Sequence, residues 1–179
     1  MPKGTLALVN ATGRQAASLA RVASALGFTV RAHVHQASHP VARELSGLSS
    51  ISVREGSLTD AGFVAQLFAG AQHAFVNTVS FGDELVIGKA LADAAKKAGI
   101  QHYIYSSMPD HGIYGKGWPS LPLWSVKYAV ENYIRQVGGL LLAMRMELDK
   151  GARSVYRPPL YIQASITIIS PRSPIRFSA

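Results

Sequence analysis

The groups in this 179-residue chain best suited to hold an anion stand together at Asn10-Ala11-Thr12-Gly13-Arg14-Gln15. This turn joins the apolar run Thr5 to Val9 to a helix-forming stretch, so its amides open the helix. A helix N-terminus offers unpaired backbone N–H groups and a partial positive charge, and a dinucleotide's pyrophosphate needs both. The glycine spacing G-x-x-G-x-x-G of such turns falls here on Asn10, Gly13 and Ala16, and only the middle glycine is present. Alanine at the third position suffices for close packing of helix on strand, and asparagine adopts a left-handed conformation more readily than most residues. His33 and His35, two apart, raise metal ligation, but no third ligand stands beside them in the sequence. The chain has no cysteine, which excludes disulfides, thiolate metal sites and a cysteine nucleophile.

The elements that must position these residues alternate in type. Strands are expected at 5–9, 28–34, 51–53, 73–77 and 102–106, with a sixth at 140–146. Helices are expected between them, around Pro40 to Leu48, from Asp60 to Phe68 and from Asp83 to Ala98. The first helix carries a small apolar face in Ala16, Ala17, Leu19, Ala20, Val22, Ala23 and Leu26, and Gly27 ends it. A Gly- and Pro-rich loop follows from Pro109 to Pro122, then a helix from Trp124 to Val137. Alternation at this spacing predicts an α/β fold, a doubly wound parallel sheet of Rossmann type. Ligands on such sheets bind outside the carboxyl ends of the strands, which singles out Asn10 to Gln15, His35, Asn77 to Ser80, and Ser106 to Met108.

Composition sets outer bounds. At 48% hydrophobic, the chain suffices for one substantial core. No run approaches the roughly 20 apolar residues of a membrane span. No targeting segment is read at the start, so the cytoplasm or nucleus is expected. The net charge of +8 is shared between residues 1–138, with 12 basic and 8 acidic, and 139–179, with 6 and 2. Dispersed basic residues, with Lys96-Lys97 the only adjacent pair in the first segment, read as a solvated helix face, not a nucleic-acid stripe.

Four stretches carry a resemblance: NATGRQAAS from Asn10, GKALADAAKKA from Gly88, QHYIYSSMPDH from Gln101 and WSVKYAVENYIRQ from Trp124. Over residues 4 to about 137 the chain resembles the NmrA-like family, fungal regulators of nitrogen metabolite repression within the atypical short-chain dehydrogenase superfamily. The resemblance implies a domain that binds NAD or NADP, and a negative regulator that contacts a GATA-type transcriptional activator without direct nucleic-acid or membrane binding. It assigns Asn10, Thr12, Gly13, Arg14 and Gln15 to the pyrophosphate, and Asn77, Thr78 and Ser80 to the nicotinamide-ribose side. His35 occupies the position where NAD-selective enzymes carry an acid toward the ribose 2′-hydroxyl, and an imidazole there implies weak discrimination between NAD and NADP. Ser106 and Ser107 stand where a working short-chain dehydrogenase places its serine. The Tyr-x-x-x-Lys pair of such enzymes is incomplete: Lys127 is present, but Leu123 replaces the tyrosine, and Trp124 or Tyr128 cannot substitute without a register shift. No catalytic residue is therefore assigned, Lys127 being the candidate.

The likeness does not extend beyond that segment. Residues 1–147 are expected to form the nucleotide-binding domain, and 148–179 an irregular tail outside the family, with Tyr161 to Ile169 as a possible strand. Relatives continue into a smaller C-terminal domain, so a truncated product or an altered gene model is expected. Two alternatives stand beside the regulator: an NADP-dependent reductase using Lys127 without the tyrosine, and a nonfunctional fragment.

Overall fold

The computed structural model describes residues 3–80, 82–108, 119, 121–137, 141–147, 163–170 and 173–176. Residues 109–118, which hold most of the Gly- and Pro-rich stretch expected to be a loop, and residues 148–162 lie outside the described residues.

Among the described residues, eight strands form one sheet: β1 (Thr5–Leu8), β2 (Thr29–Val34), β3 (Ile51–Glu55), β4 (His73–Val76), β5 (His102–Ser107), β6 (Leu141–Glu147), β7 (Gln163–Ser170) and β8 (Ser173–Arg176). Their order is β3-β2-β1-β4-β5-β6-β7-β8. The pairs among β1 to β6 are all parallel, and β7 and β8 add antiparallel. The first six follow the strand order of a dinucleotide-binding Rossmann sheet, which reverses between β1 and β4 and opens a crevice there. Strands β7 and β8 fall in the stretch whose composition suggests an irregular tail, and β7 overlaps the segment 161–169 read as a strand.

Among the described residues, five helices connect the parallel strands: α1 (Arg14–Ala25), α2 (Pro40–Ser46), α3 (Ala61–Phe68), α4 (Glu84–Lys97) and α5 (Pro122–Val137). Each forms for a local reason. Asp60 accepts from the Gly62 and Phe63 amides and starts α3, and Asp83 accepts from Val86 N–H and starts α4. His39 does the same for α2 through Val41 N–H. α5 begins two residues earlier than the periodicity suggests, because Pro122 takes the first helical position, where its missing N–H costs nothing. Gly27 (φ 87°) and Gly99 (φ 74°) end α1 and α4 in the left-handed conformation. In each, the next residue's N–H returns to the last turn, Phe28 to Ala23 O and Ile100 to Ala95 O.

Strand alternation divides the core between the two faces of the sheet. Leu6 and Leu8, with Val30, Ala32, Val34 and Phe75, pack under α1 and α2. Ala7 and Val9, with Ala74, Val76, Tyr103 and Tyr105, pack under α3, α4 and α5. The small residues Ala16, Ala20 and Ala23 let α1 lie close on the sheet, and Gly88 does this for α4 on α5, where an added Cβ would stand 2.6 Å from Val130 Cγ2. Lys96 is not simply solvated: its Nζ donates to Val137 O at 2.6 Å, tying the end of α4 to the end of α5.

Candidate functional site

The strand ends bring the expected residues to one edge of the sheet. After β1 the chain turns at Asn10, whose φ of 56° is the left-handed conformation that the missing first glycine would have supplied. Gly13 then sits at the N-cap of α1 with extended backbone and no side-chain cap, and the first turn holds no acid. α2, α3 and α4 are all capped by a side chain, so α1 differs in leaving its opening amides to something else. A Cβ on Gly13 would come within 3.3 Å of Asn10 O. Thr12 is half-buried, and Gly13 and Arg14 are exposed at this mouth.

The turn is held from behind by His33, which is fully buried. Its Nδ1 accepts the Asn10 N–H at 3.1 Å, and its Nε2 therefore carries the proton and donates to Gly56 O at 3.1 Å. Burial pushes this imidazole down to about 4; the Gly56 bond opposes the shift and the neighbouring His35 adds to it. His33 is thus a neutral bracket between the β1 turn and the loop after β3, a role that its position in the sequence does not suggest. His35, the next outward position of the chain, is exposed and meets the His33 ring edge-on at a centroid distance of 5.0 Å. Among the described residues no three His, Cys, Asp or Glu side chains gather as a metal site.

Two polar clusters lie at the ends of β4 and β5. In the first, Asn10 Nδ2 donates to Asn77 O (2.6 Å), and Gln15 Oε1 accepts from both Asn77 Nδ2 (3.0 Å) and Ser106 Oγ (2.9 Å). One side-chain carbonyl on α1 therefore joins the turn to the tips of two strands. Asn10 Oδ1 is buried without a hydrogen-bond partner among the described residues. An orphaned acceptor beside an uncapped helix mouth fits a site that receives a polar ligand.

In the second cluster Lys127, from α5, reaches back across the edge. Its Nζ donates to Thr78 O (2.5 Å), Thr78 Oγ1 (3.2 Å) and Glu84 Oε1 (2.8 Å), which accounts for all three of its N–H groups. Thr78 donates in turn to Glu84 Oε1 (2.6 Å) and shares a bond with Tyr105 OH (2.9 Å), while Ser80 donates to Glu84 Oε2 (3.3 Å). Burial pushes the Tyr105 hydroxyl well above the usual tyrosine range. Ser107 is fully buried, and among the described residues its hydroxyl makes one long hydrogen bond, 3.5 Å, to Lys127 O. Leu123, four residues before Lys127, is 56% exposed.

Glu84 and Tyr105 are absent from the sequence-based site. Signals for both exist in hindsight. Asp83 and Glu84 are adjacent acids at a helix start where one cap suffices, leaving the second to find a cation. Tyr105 points to a buried face, where a hydroxyl usually finds a partner, and it finds Thr78, whereas the buried Tyr103 hydroxyl has none among the described residues.

The model of the NmrA-like family matches residues 2–143. The nitrogen metabolite repression protein nmrA of Emericella nidulans is 56% identical over 139 residues, covering 76% of this chain and 39% of that protein. A crystal structure of NmrA, described as a negative transcriptional regulator, in complex with NADP superposes with a TM-score of 0.77 at 51% identity, over 81% of this chain and 45% of that one. Its complex with NAD superposes equally well, with the same identity and coverage. The chain thus spans about two fifths of the length of the curated relative it matches.

Proposed function

The chain belongs to the NmrA-like family, and on that premise we propose that its residues 1–147 bind NAD or NADP as part of a non-catalytic regulator of transcription in nitrogen metabolite repression. The observation that carries the binding is the α1 mouth, where a left-handed Asn10, a side-chain-free Gly13 and an absent cap leave the amides open. Asn10, Thr12, Gly13, Arg14 and Gln15 would hold the pyrophosphate, His35 the adenosine ribose, and Asn77, Ser80 and Ser106 the nicotinamide-ribose side, with Lys127 and Thr78, both bound to Glu84, bracing that side from behind. The NAD and NADP complexes of the relative support acceptance of both dinucleotides. A regulator of this kind acts on a partner, which we assign as a GATA-type activator met in the cytoplasm or nucleus; among the described residues no helix is long and apolar enough to cross a membrane.

A bound dinucleotide would supply a hydride-carrying ring, but the chain's own residues offer it little acid chemistry. Leu123 has no proton to give, and the N–H groups of Lys127 are committed to Thr78 and the nearly buried Glu84. Both favour a binding role over a reductase that relies on Lys127 alone. Calorimetric titration of the recombinant chain tests the reading: NAD and NADP should each bind, with dissociation constants within about tenfold of each other (about 1.4 kcal/mol). Binding of neither would overturn it. Pull-down of a GATA-type activator, with and without NAD, tests the partner.

A further inference from the structure

We propose that Glu55 is a specificity-determining residue of this site, supplying from β3 the carboxylate that the end of β2 lacks and tilting the site toward NAD over NADP. The inference rests on the dinucleotide reading above. β2 ends at Val34, and the parallel register pairs Val34 with Glu55, so the acid on the edge strand β3 lies level with the position where Rossmann sites contact the ribose 2′-oxygen. Glu55 does not extend into solvent. Its Oε2 accepts the Ala37 N–H at 2.7 Å, which draws the carboxylate over the turn that follows β2 and begins with His35. Among the described residues no second hydrogen bond is made to this carboxylate. Its other oxygen remains able to accept from a ribose hydroxyl.

Within the turn after β2 no lysine or arginine offsets this charge, and Arg14, exposed across the site at the α1 mouth, is assigned to the pyrophosphate. NADP sites commonly set an arginine beside the 2′-phosphate, but the turn His35-Gln36-Ala37-Ser38-His39 has neither arginine nor lysine. Arg31 is committed on another element, its Nη1 donating to the carbonyls of Gln66, Leu67 and Ala69. Arg54 precedes Glu55 in the strand, so its side chain leaves the opposite face of the sheet. His39 turns its Nδ1 inward to cap α2 through Val41 N–H, and His35 meets the neutral His33 ring. The full charge fixed at this turn is therefore negative. A ribose hydroxyl gains an acceptor from it, whereas a 2′-phosphate meets like charge.

The test uses the full chain and its Glu55→Gln variant, titrated calorimetrically with NAD and with NADP at about 0.01 M salt. Glutamine keeps an oxygen for the Ala37 N–H and loses only the charge. NADP should bind the variant about fivefold tighter, the size expected for one and two like charges roughly 7 Å apart in water. NAD binding should change less than twofold. Raising the salt should shrink the wild-type gap between the two dinucleotides, since exposed charges are screened. A second variant, His35→Asp with Glu55→Gln, returns an acid to the end of β2 and should restore the NAD preference. Wild type binding both dinucleotides, with a ratio that Glu55→Gln leaves unchanged, overturns the role of Glu55 and leaves the site standing. Wild type binding neither overturns the site and the proposal together.

Discussion

Acidification should loosen this protein through His33, and by a calculable amount. An imidazole in the unfolded chain titrates near 6.5, and burial holds His33 down to about 4 in the folded one. Between those values the unfolded chain binds more protons, so acid favours unfolding. The stabilisation from keeping His33 neutral is full above about pH 6.5 and is lost as pH falls toward 4. The whole shift corresponds to about 3 kcal/mol, of which about 2 kcal/mol is gone by pH 5. His73 is lowered too, by burial and by His102, and pulls in the same direction, so wild type alone cannot isolate the effect. His33→Gln can, because its amide keeps an acceptor for Asn10 N–H and a donor for Gly56 O but does not titrate in this range. Urea unfolding of both proteins at pH 7.5 and pH 5.0 gives the difference directly. The margin of wild type over the variant should shrink by about 2 kcal/mol at the lower pH, with unchanged m values. A margin that stays constant across that range would refute the buried neutral bracket.

Three further outcomes follow from the packing. Lys127→Met strands the Glu84 carboxylate, which is only 5% exposed, and should destabilise by about 3–5 kcal/mol, while adding Glu84→Gln should recover much of that loss in a double-mutant cycle by urea unfolding. Gly88→Ala in an exposed helix would stabilise by about 1 kcal/mol, but here the new Cβ meets Val130 and the change should cost about 1–3 kcal/mol, read as a fall in the urea midpoint. Asp60→Ala removes two hydrogen bonds at the start of α3 and should cost about 1 kcal/mol, lowering Tm by about 2–4 °C in a calorimetric melt.

Much of the scaffold was legible because its causes are local. Apolar runs bounded by glycine, Asp60 and Asp83 as caps, and Gly27 and Gly99 as stops each act within a few residues. The left-handed Asn10 was legible for the same reason. What escaped was set by neighbours distant in sequence. His33 reads from the sequence only as half of a histidine pair without a third metal ligand, yet the packing of Gly56 and Asn10 on either side makes it a bracket. Strand β3 runs two residues past Val53 because β2 offers Ala32, His33 and Val34 as partners for Val53, Arg54 and Glu55. Lys96 passes for a solvated charge until α5 brings Val137 O beneath it. Glu84 is read from the sequence as part of a helix start, and only the return of α5 across the sheet edge gives it Lys127.

The shared carbonyl of Gln15 has a dynamic consequence. Because Asn77 and Ser106 both donate to that one oxygen, the tips of β4 and β5 are coupled through a residue of α1 and not only through their own pairing. A ligand that immobilises the opening turn of α1 would then damp fluctuations at both tips at once. In amide hydrogen–deuterium exchange, occupancy at the turn should register as slower exchange around Asn77 and Ser106, residues far away along the chain that act as a remote gauge of whether the mouth is filled.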